Sequence, residues 1–415
     1  MTRLVQIDVN YNVGSTGRIV RQISQRLGSA GFRVFPFYGR HSHFDDCDAQ
    51  VVANPARVGT AADVYWHALA TRVTGYTARF SAKPTRQLIA QIEHIQPSLV
   101  HLHDLHGYFI HIELLCSYLK QAQIPVVWTF HSDFMFTGRC GSSNECEGWR
   151  TGCLKCPHLD RYPQTWFFDR ASAMLEQKKH IFYDFERLRL VAPSHWLAQK
   201  MKSSIVASHS IDVVPNGIDV QTFQPHSADR LKAQLGVQDR YCVISVGAGL
   251  MNEQKGGRLA LALAQRCTDP DVVFMMVGVD DYRGEVPANV IIRPTVADPA
   301  ELAQLYSVGD VLLLTSQTES FSMVTAEALA CGLPVIGFDS GAPTEVAPAG
   351  YGRFVPYGDI EALLAVLMEV RSHGGGLKTP TECTEFARAH YASDSMVDAY
   401  AGIYKHMIEQ YPRLL

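Results

Sequence analysis

Residues 315–334 read TSQTESFSMVTAEALACGLP. An apolar run at 311–315 leads into this stretch, and another follows at 334–338. Short aliphatic runs of this length read as buried strands. Between them the chain turns at Glu319-Ser320, then carries a helical pattern from Phe321 until Gly332-Leu333-Pro334 stops it. Two chemical consequences follow. The start of such a helix offers backbone N–H groups, here of Phe321, Ser322 and Met323, as a site for phosphate. Glu319 and Glu327 stand eight residues apart, on the order of 12 Å along a helix axis. That span suits a ligand with a diphosphate in the middle and a hydroxyl-rich ring at each end, Glu319 at one ring and Glu327 at the ribose. The plainer alternative is a solvent-facing Glu327 and a first-turn acid at Glu319 that complements the helix dipole.

The alternation of strand and helix extends both ways. Strand-like runs at 241–246, 272–277 and 290–292 precede the motif, and runs at 4–9, 32–38, 99–102, 126–130 and 188–192 lie further back. Residues 18–27 form an amphipathic helix with Ile19, Ile23 and Leu27 on one face. Pro215-Asn216-Gly217 is a turn signal between two such series. A chain of 415 residues is too long for one ordinary core. The expected fold class is therefore α/β, two Rossmann-like doubly wound domains facing across a cleft, with ligands at the carboxyl ends of the strands. The expected boundaries are 1–208, 209–390, and a C-terminal helix within 391–415 that crosses back to the first domain.

With 47% apolar and 19% charged residues the composition is globular. A formal charge of −4 argues against a nucleic-acid partner. No apolar run reaches the roughly 18 residues that span a bilayer, and the N-terminus does not read as a signal peptide. A cytoplasmic chain with reduced cysteines is the expectation.

Glu319 and Glu327 in their strand–turn–helix context resemble the Glu-x7-Glu motif of retaining glycosyltransferases of the GT-B fold, glycosyltransferase family 4. The likeness spans nearly the whole chain. Gly14-Ser15-Thr16-Gly17-Arg18 resembles the family's glycine-rich first loop, and Leu99-Val100-His101-Leu102-His103-Asp104 its strand ending in His-x-His. Trp128-Thr129-Phe130-His131 resembles the strand that delivers the active-site histidine, Pro215-Asn216-Gly217-Ile218-Asp219 the linker, and Lys255-Gly256 the phosphate-binding pair.

The resemblance implies roles. His131, Glu319 and Lys255 would be catalytic, with Lys255 neutralising the departing diphosphate. Gly14, Gly17, Gly247, Arg258, Arg293, Ser320, Phe321, Ser322 and Glu327 would surround the donor; His103 and Arg18 would lie on the acceptor side. The implied reaction moves a hexose-type sugar from a nucleotide diphosphate sugar, with retention and without a cofactor or metal for the chemistry, to an oligosaccharide such as a polyprenyl-diphosphate-linked surface glycan. Three departures stand out. The loop 247–255 lacks the arginine many members pair with the lysine, leaving Arg258 as its substitute; Ser322 replaces a common glycine; and Ser132 follows His131 where aspartate is frequent. The missing arginine keeps open a catalytically silent nucleotide-sugar sensor or scaffold. The His-x-His pair likewise reads either as ligands or as satisfied core residues.

Cys140, Cys146, Cys153 and Cys156 fall within 17 residues, in a loop at 140–158. Their spacing suits either a structural zinc ion, with His158 able to replace one thiolate, or a compact loop of free thiols. Cys47, Cys116, Cys242, Cys267, Cys331 and Cys383 are scattered and read as packing. Aromatic and basic residues mix at 64–86, and Lys178, Lys179, His180, Arg187, Arg189, Lys200 and Lys202 add charge to the first half. This reads either as a surface for an anionic acceptor at the inner membrane face or as a solvated helix face.

Overall fold

The computed structural model describes residues 2–44 and 52–412, so Cys47 lies outside the described residues. The chain divides into two compact units, 1–214 with 396–415, and 215–395.

In the first unit the chain runs β1 (Thr2–Tyr11), α1 (Gly14–Ser29), β2 (Phe32–Ser42), β3 (Ala56–Arg57), α2 (Ala61–Thr74), α3 (Ala82–Ile95), β4 (Leu99–Leu102), α4 (Ile112–Gln121), β5 (Val126–Thr129), α5 (Ala171–Phe182), β6 (Leu188–Ala192), α6 (His195–Lys202) and β7 (Ile211–Val213). The seven strands form one parallel sheet ordered β3-β2-β1-β4-β5-β6-β7. Every residue of β4 and of β5 is buried. Helices on both faces of a parallel sheet require this, and it explains why these strands read as unbroken apolar runs. The strand order reverses between β1 and β4, the place where open sheets of this kind splay into a crevice.

The second unit runs α7 (Asp229–Leu235), β8 (Tyr241–Val246), α8 (Gly257–Arg266), β9 (Val272–Val277), β10 (Val290–Arg293), α9 (Pro299–Tyr306), β11 (Val311–Leu314), α10 (Met323–Ala330), β12 (Val335–Phe338), α11 (Pro343–Val346), β13 (Gly352–Val355), α12 (Ile360–His373) and α13 (Pro380–Tyr391). Its parallel sheet is ordered β10-β9-β8-β11-β12-β13, the same winding as the first six strands of the other sheet, with its reversal between β8 and β11.

The last helix, α14 (Ser393–Gln410), is grouped with the first unit from Met396 onward. It buries Met396, Val397, Tyr400, Tyr404 and Met407, a stripe at three- and four-residue spacing. The unit boundaries fall at 214/215 and 395/396, not at 208/209 and 390/391. The first moves because β7 pairs with β6, Ile211 opposite Leu190 and Val213 opposite Ala192. A three-residue edge strand is too short to show a period in sequence. Helix α1 starts at Gly14, so the glycine-rich stretch is its first turn and not a separate loop.

Candidate active site

In the second unit, the chain leaves β8 and β11, the strands flanking the reversal, through two loops that lie against each other. Gln317 N donates to Gln254 O at 2.8 Å, and Thr315 Oγ1 donates to Lys255 O at 3.1 Å. Between these ties, Lys255 Nζ donates to Glu319 Oε1 at 2.8 Å. The Glu319 charge raises the lysine pKa above its ordinary value, against the opposing effect of burial, so the ammonium stays charged. Glu319 is itself pinned: its N–H donates to Ser340 O at 2.9 Å, and its carbonyl accepts from Ala342 N at 3.2 Å. Lys255 stands immediately before Gly256, the N-cap of α8, which has φ +71°. A cation next to the start of a helix makes an anion site of modest size.

The remaining donor-side candidates divide. Only Glu327 is on α10; Glu319 precedes the helix by four residues, in an extended bridge opposite Gly341. The two acids are therefore not eight residues apart on one helix. Glu327 is 2% exposed and accepts from Tyr306 Oη at 3.1 Å. Phe321 packs edge-on against Tyr391 in the core, and Ser320 is half-buried beside it. Ser322, the N-cap of α10, holds φ +83° and bonds Thr325 Oγ1 at 2.8 Å. The helix begins at Met323, two residues later than its pattern indicates, because a β-carbon at positive φ ends the helical run. Gly247 follows β8 and lies beside Lys255, since a Cβ there would be 3.9 Å from Lys255 Cδ. Arg258 is placed differently. It lines a groove on the outer side of α8 with Leu261, Asp281 and Arg283, one turn away from the Lys255–Glu319 pair. Arg293 ends β10, where its carbonyl accepts from Gly278 N and Val279 N at 3.0 Å each, and its Nε is enclosed without a hydrogen-bond partner.

In the first unit three histidines collect at the carboxyl ends of β4 and β5, His101 within β4 and His103 and His131 just beyond the strands. His131 stacks on His103, with ring planes 9° apart, and their Nε2 and Nδ1 atoms share a 3.2 Å hydrogen bond. His103 lies over His101, ring centroids 3.8 Å apart. His101 Nε2 meets Thr129 Oγ1 at 2.8 Å, His101 Nδ1 meets Tyr404 Oη at 2.5 Å, and Thr129 bonds Tyr400 Oη at 2.9 Å. Trp128 Nε1 donates to His103 O at 3.0 Å. Burial, followed by the neighbouring imidazoles, holds His101 and His103 far below the ordinary histidine range. Burial lowers His131 too, opposed by Asp104. His101 is thus a satisfied core residue, whereas His131 is a neutral imidazole at the strand end, able to accept or donate one hydrogen bond. Tyr400 and Tyr404 of α14 complete the stack; the sequence marked only a C-terminal helix there.

Next to the stack lies an acid pair. Asp8, in β1, accepts from Asp104 N and Asn10 N at 3.1 Å each and from Thr16 Oγ1 at 3.3 Å. Burial, and then repulsion from Asp104, push its carboxyl up to about 7. Burial would raise Asp104 as well, but His106 at 3.5 Å, then His131, and the Ser132 hydroxyl at 3.2 Å hold it below the usual carboxylate range. Ser132 therefore bonds the aspartate through its hydroxyl. An unfolded chain releases the Asp8 proton near 3.8, whereas the native chain holds it until about 7. Native Asp8 thus binds more protons over that window, and stability falls as pH rises through it. Three units at 1.36 kcal/mol each make the loss on the order of 4 kcal/mol. Asp8→Asn should flatten the decline of the melting midpoint between about pH 4 and 7, as read by calorimetry; equal slopes in both proteins would refute the shift.

The glycine-rich turn supplies backbone. Gly14 has φ +71° with open space where a Cβ would stand, and Gly17 lies 3.1 Å (as a built Cβ) from Asn12 N. Arg18 Nε donates to Gly14 O at 3.2 Å, which keeps that side chain along α1.

The loop after His131 carries the four clustered cysteines. Among the described residues no group of three or more His, Cys, Asp or Glu side chains is placed to hold a metal ion. Cys140 and Cys156 instead pair, the Cys140 thiol donating to the Cys156 sulfur. That bond lowers Cys156 to about 6 and raises Cys140. Cys153 takes φ +53° and Cys146 stands ahead of the short 3₁₀ turn at Gly148–Arg150. All four cysteines lie in one region, Cys146 and Cys153 near enough for their charge to act on the Cys140 thiol. Of the four cysteines read as either a zinc site or free thiols, Cys140 and Cys156 are the two that bond each other, with Cys146 and Cys153 beside them. The loop is held by other means. Buried Lys178 donates to the carbonyls of Phe134, Thr137 (2.9 Å) and Gly138 (3.2 Å). Lys200 bonds Asp133 at 2.5 Å, and Arg189 pairs with Asp212. These three basic side chains, read in sequence as either an acceptor surface or a solvated face, are instead bonded within the fold.

A family model described as Glycosyl transferases group 1 matches residues 241–372, and one described as Glycosyltransferase Family 4 matches residues 16–222. The chain is 25% identical over 327 residues to a protein named as the colanic acid biosynthesis glycosyl transferase WcaC of Escherichia coli (strain K12), covering 75% of this chain and 77% of that one. It is 22% identical over 248 residues to the alpha-galactosylglucosyldiacylglycerol synthase of Streptococcus pneumoniae, 55% of this chain and 64% of the other. The crystal structure of HepE from Anabaena with UDP-glucose shares the fold, with a TM-score of 0.67 and 15% identity over 98% of this chain and 100% of that one. The architecture is the two-domain α/β GT-B fold. With one model matching 16–222 and the other 241–372, and with the Lys255–Glu319 pair in the loops after β8 and β11 and His131 just after β5, the chain belongs to the family 4 type of glycosyltransferases.

Proposed function

We propose that this glycosyltransferase moves a hexose from a nucleoside diphosphate sugar, with retention, to a lipid-linked glycan of a bacterial surface polysaccharide. The observation that carries the reading is the Lys255–Glu319 ion pair beside the first turn of α8. A diphosphate arriving there meets a held ammonium and helix N–H groups, so charge developing on the leaving group is stabilised without reorganisation. In this reading the chemical step uses no metal ion, since Lys255 supplies the positive charge. The enclosed Arg293 Nε lacks a partner and suits a polar edge of the nucleotide. Neutral His131 would bond a hydroxyl of the sugar. The hexose is supported by the UDP-glucose named with HepE, and the glycan and lipid acceptor by the names of the Escherichia coli and Streptococcus relatives.

The test is a thermal-shift screen against nucleoside diphosphates and their sugars, followed by turnover. A ligand present at a hundred times its Kd stabilises the folded protein by about 2.7 kcal/mol, or roughly 5–10 °C for units of this size. One base should give that shift in the wild type and not in Lys255→Ala. Product linkage by NMR, with a chelator present and absent, then reads retention and metal independence. An inverted product or chelator-sensitive turnover would overturn those parts. Binding without turnover on any glycolipid acceptor would favour a sensor.

A further inference from the structure

The solvent side of α2 is apolar. His67, Ala68 and Thr71 face inward, while Tyr65 (78% exposed), Trp66 (64%), Leu69 and Val73 face out. The outward set recurs at three- and four-residue spacing, the pattern that a helix normally hides. The helix is sealed at its start by the reciprocal Thr60–Asp63 capping box and at its end by Gly75 in the left-handed conformation, so the exposed stripe belongs to an ordered element.

A second apolar stretch joins it. Trp166 N donates to Arg72 O at 2.8 Å, which fixes residues 166–168 against the C-terminal half of α2. There Trp166 is 51% exposed and Phe167 69%, with Phe168 next in the row. Together the four most exposed aromatic rings present on the order of 500 Å², as large as the biggest apolar patch of an ordinary monomer. Among the described residues no helix is long and apolar enough to cross a membrane.

Charge selects the occupant. Residues 61–90 and 161–170 hold six Lys and Arg against two acids, Asp63 and Asp169, in a chain whose formal charge is −4. Both carboxylates are turned to backbone groups, Asp63 to Thr60 N and Asp169 to the N–H groups of Cys156 and Ala171. The cations stand beside the rings: Arg79 is 5.0 Å from the Tyr76 ring, and Arg170 is 5.3 Å from Phe168. Aromatic rings interleaved with cations on one face match the headgroup level of an anionic bilayer, where rings enter the interface and cations meet lipid phosphate.

We propose that the outer face of α2 and the 166–168 segment dock this chain onto an anionic lipid bilayer. The inference deepens the proposed reading, in that a lipid-borne acceptor needs its enzyme at a membrane, but it stands on this surface alone.

The test is co-sedimentation of the full chain with vesicles of phosphatidylcholine, with and without phosphatidylglycerol, and with no donor or acceptor present. Wild type should sediment with the anionic vesicles and be released by raised salt. The double variant Trp66→Ser with Phe167→Ser should bind at least about tenfold more weakly, with an unchanged melting midpoint because both side chains are exposed. A second variant, Arg79→Glu with Arg170→Glu, should lose the preference for anionic over neutral vesicles. Absence of wild-type binding, or equal binding by the serine variant, would overturn the proposal. So would a wild-type dimer in light scattering that the serine variant loses and that ignores vesicles, since the patch would then cover a second copy of the chain. Sugar transfer to a soluble acceptor is read separately, so loss of either result leaves the other standing.

Discussion

Replacing Lys255 with alanine is expected to cut sugar transfer by at least two orders of magnitude. The scale follows from removing one preorganised charge at a developing anion, about 3–4 kcal/mol of transition-state stabilisation. Lys255 is held at 2.8 Å from Glu319 and stays protonated because of it. Alanine removes the ammonium and leaves Glu319 facing the incoming diphosphate, so repulsion adds to the loss. Glu319→Ala should cost a similar factor by another route, freeing the lysine from the geometry its partner imposes. Because the two side chains act as a unit, the double variant should lose much less than the product of the single losses. The measurement is release of nucleoside diphosphate under saturating acceptor, with melting midpoints showing that the fold survives. Either single variant retaining more than about a tenth of wild-type activity would remove that residue from the chemistry.

Gly256→Ala is expected to be among the most damaging small substitutions in the second unit. Gly256 has φ +71°, and a Cβ there would stand 2.0 Å from the carbonyl oxygen of Thr315. The left-handed backbone alone costs a non-glycine residue about 1–2 kcal/mol. The clash is with backbone that cannot swing aside, since Thr315 Oγ1 bonds Lys255 O and Gln317 N bonds Gln254 O. A total of about 3 kcal/mol or more corresponds to roughly 6–12 °C in the melting midpoint. Gly14→Ala is the control. It shares φ +71° but meets no atom within 4 Å, so only the backbone cost of about 1 kcal/mol should appear. Equal losses at the two positions would show that close packing of the two loops is not what demands glycine at 256.

Much of the fold was legible because parallel strands are buried on both faces and therefore appear as short apolar runs. Residues 99–102, 188–192 and 241–246 were read with the bounds they have in the structure. Strands β3 and β13 were missed. The first has two residues and the second begins with glycine, so neither shows a period. Lys178, Arg189 and Lys200 looked like surface charge for the same kind of reason: sequence records that a side chain is cationic, not that three carbonyls or an aspartate enclose it.

The candidate site divides along similar lines. Lys255-Gly256 and Glu319 were readable because their local order, strand, turn, helix, implies where each stands. The 2.8 Å contact between them was not, since they are 64 residues apart in the chain. The same holds for Tyr400 and Tyr404. The 271 residues between Thr129 and Tyr400, and the 303 between His101 and Tyr404, are bridged only when α14 packs on the first unit. Cysteine spacing in turn allowed either zinc or free thiols, and only the folded loop shows which two sulfurs bond, Cys140 with Cys156. By itself the sequence determined two series of alternating strands and helices and the residue types at their ends, because burial and helix capping act over a few neighbouring residues. Tertiary structure alone decided which of those residues touch, which charges are enclosed, and which aromatic rings of α2 face outward, because these depend on closure of the chain over distances that no local pattern encodes.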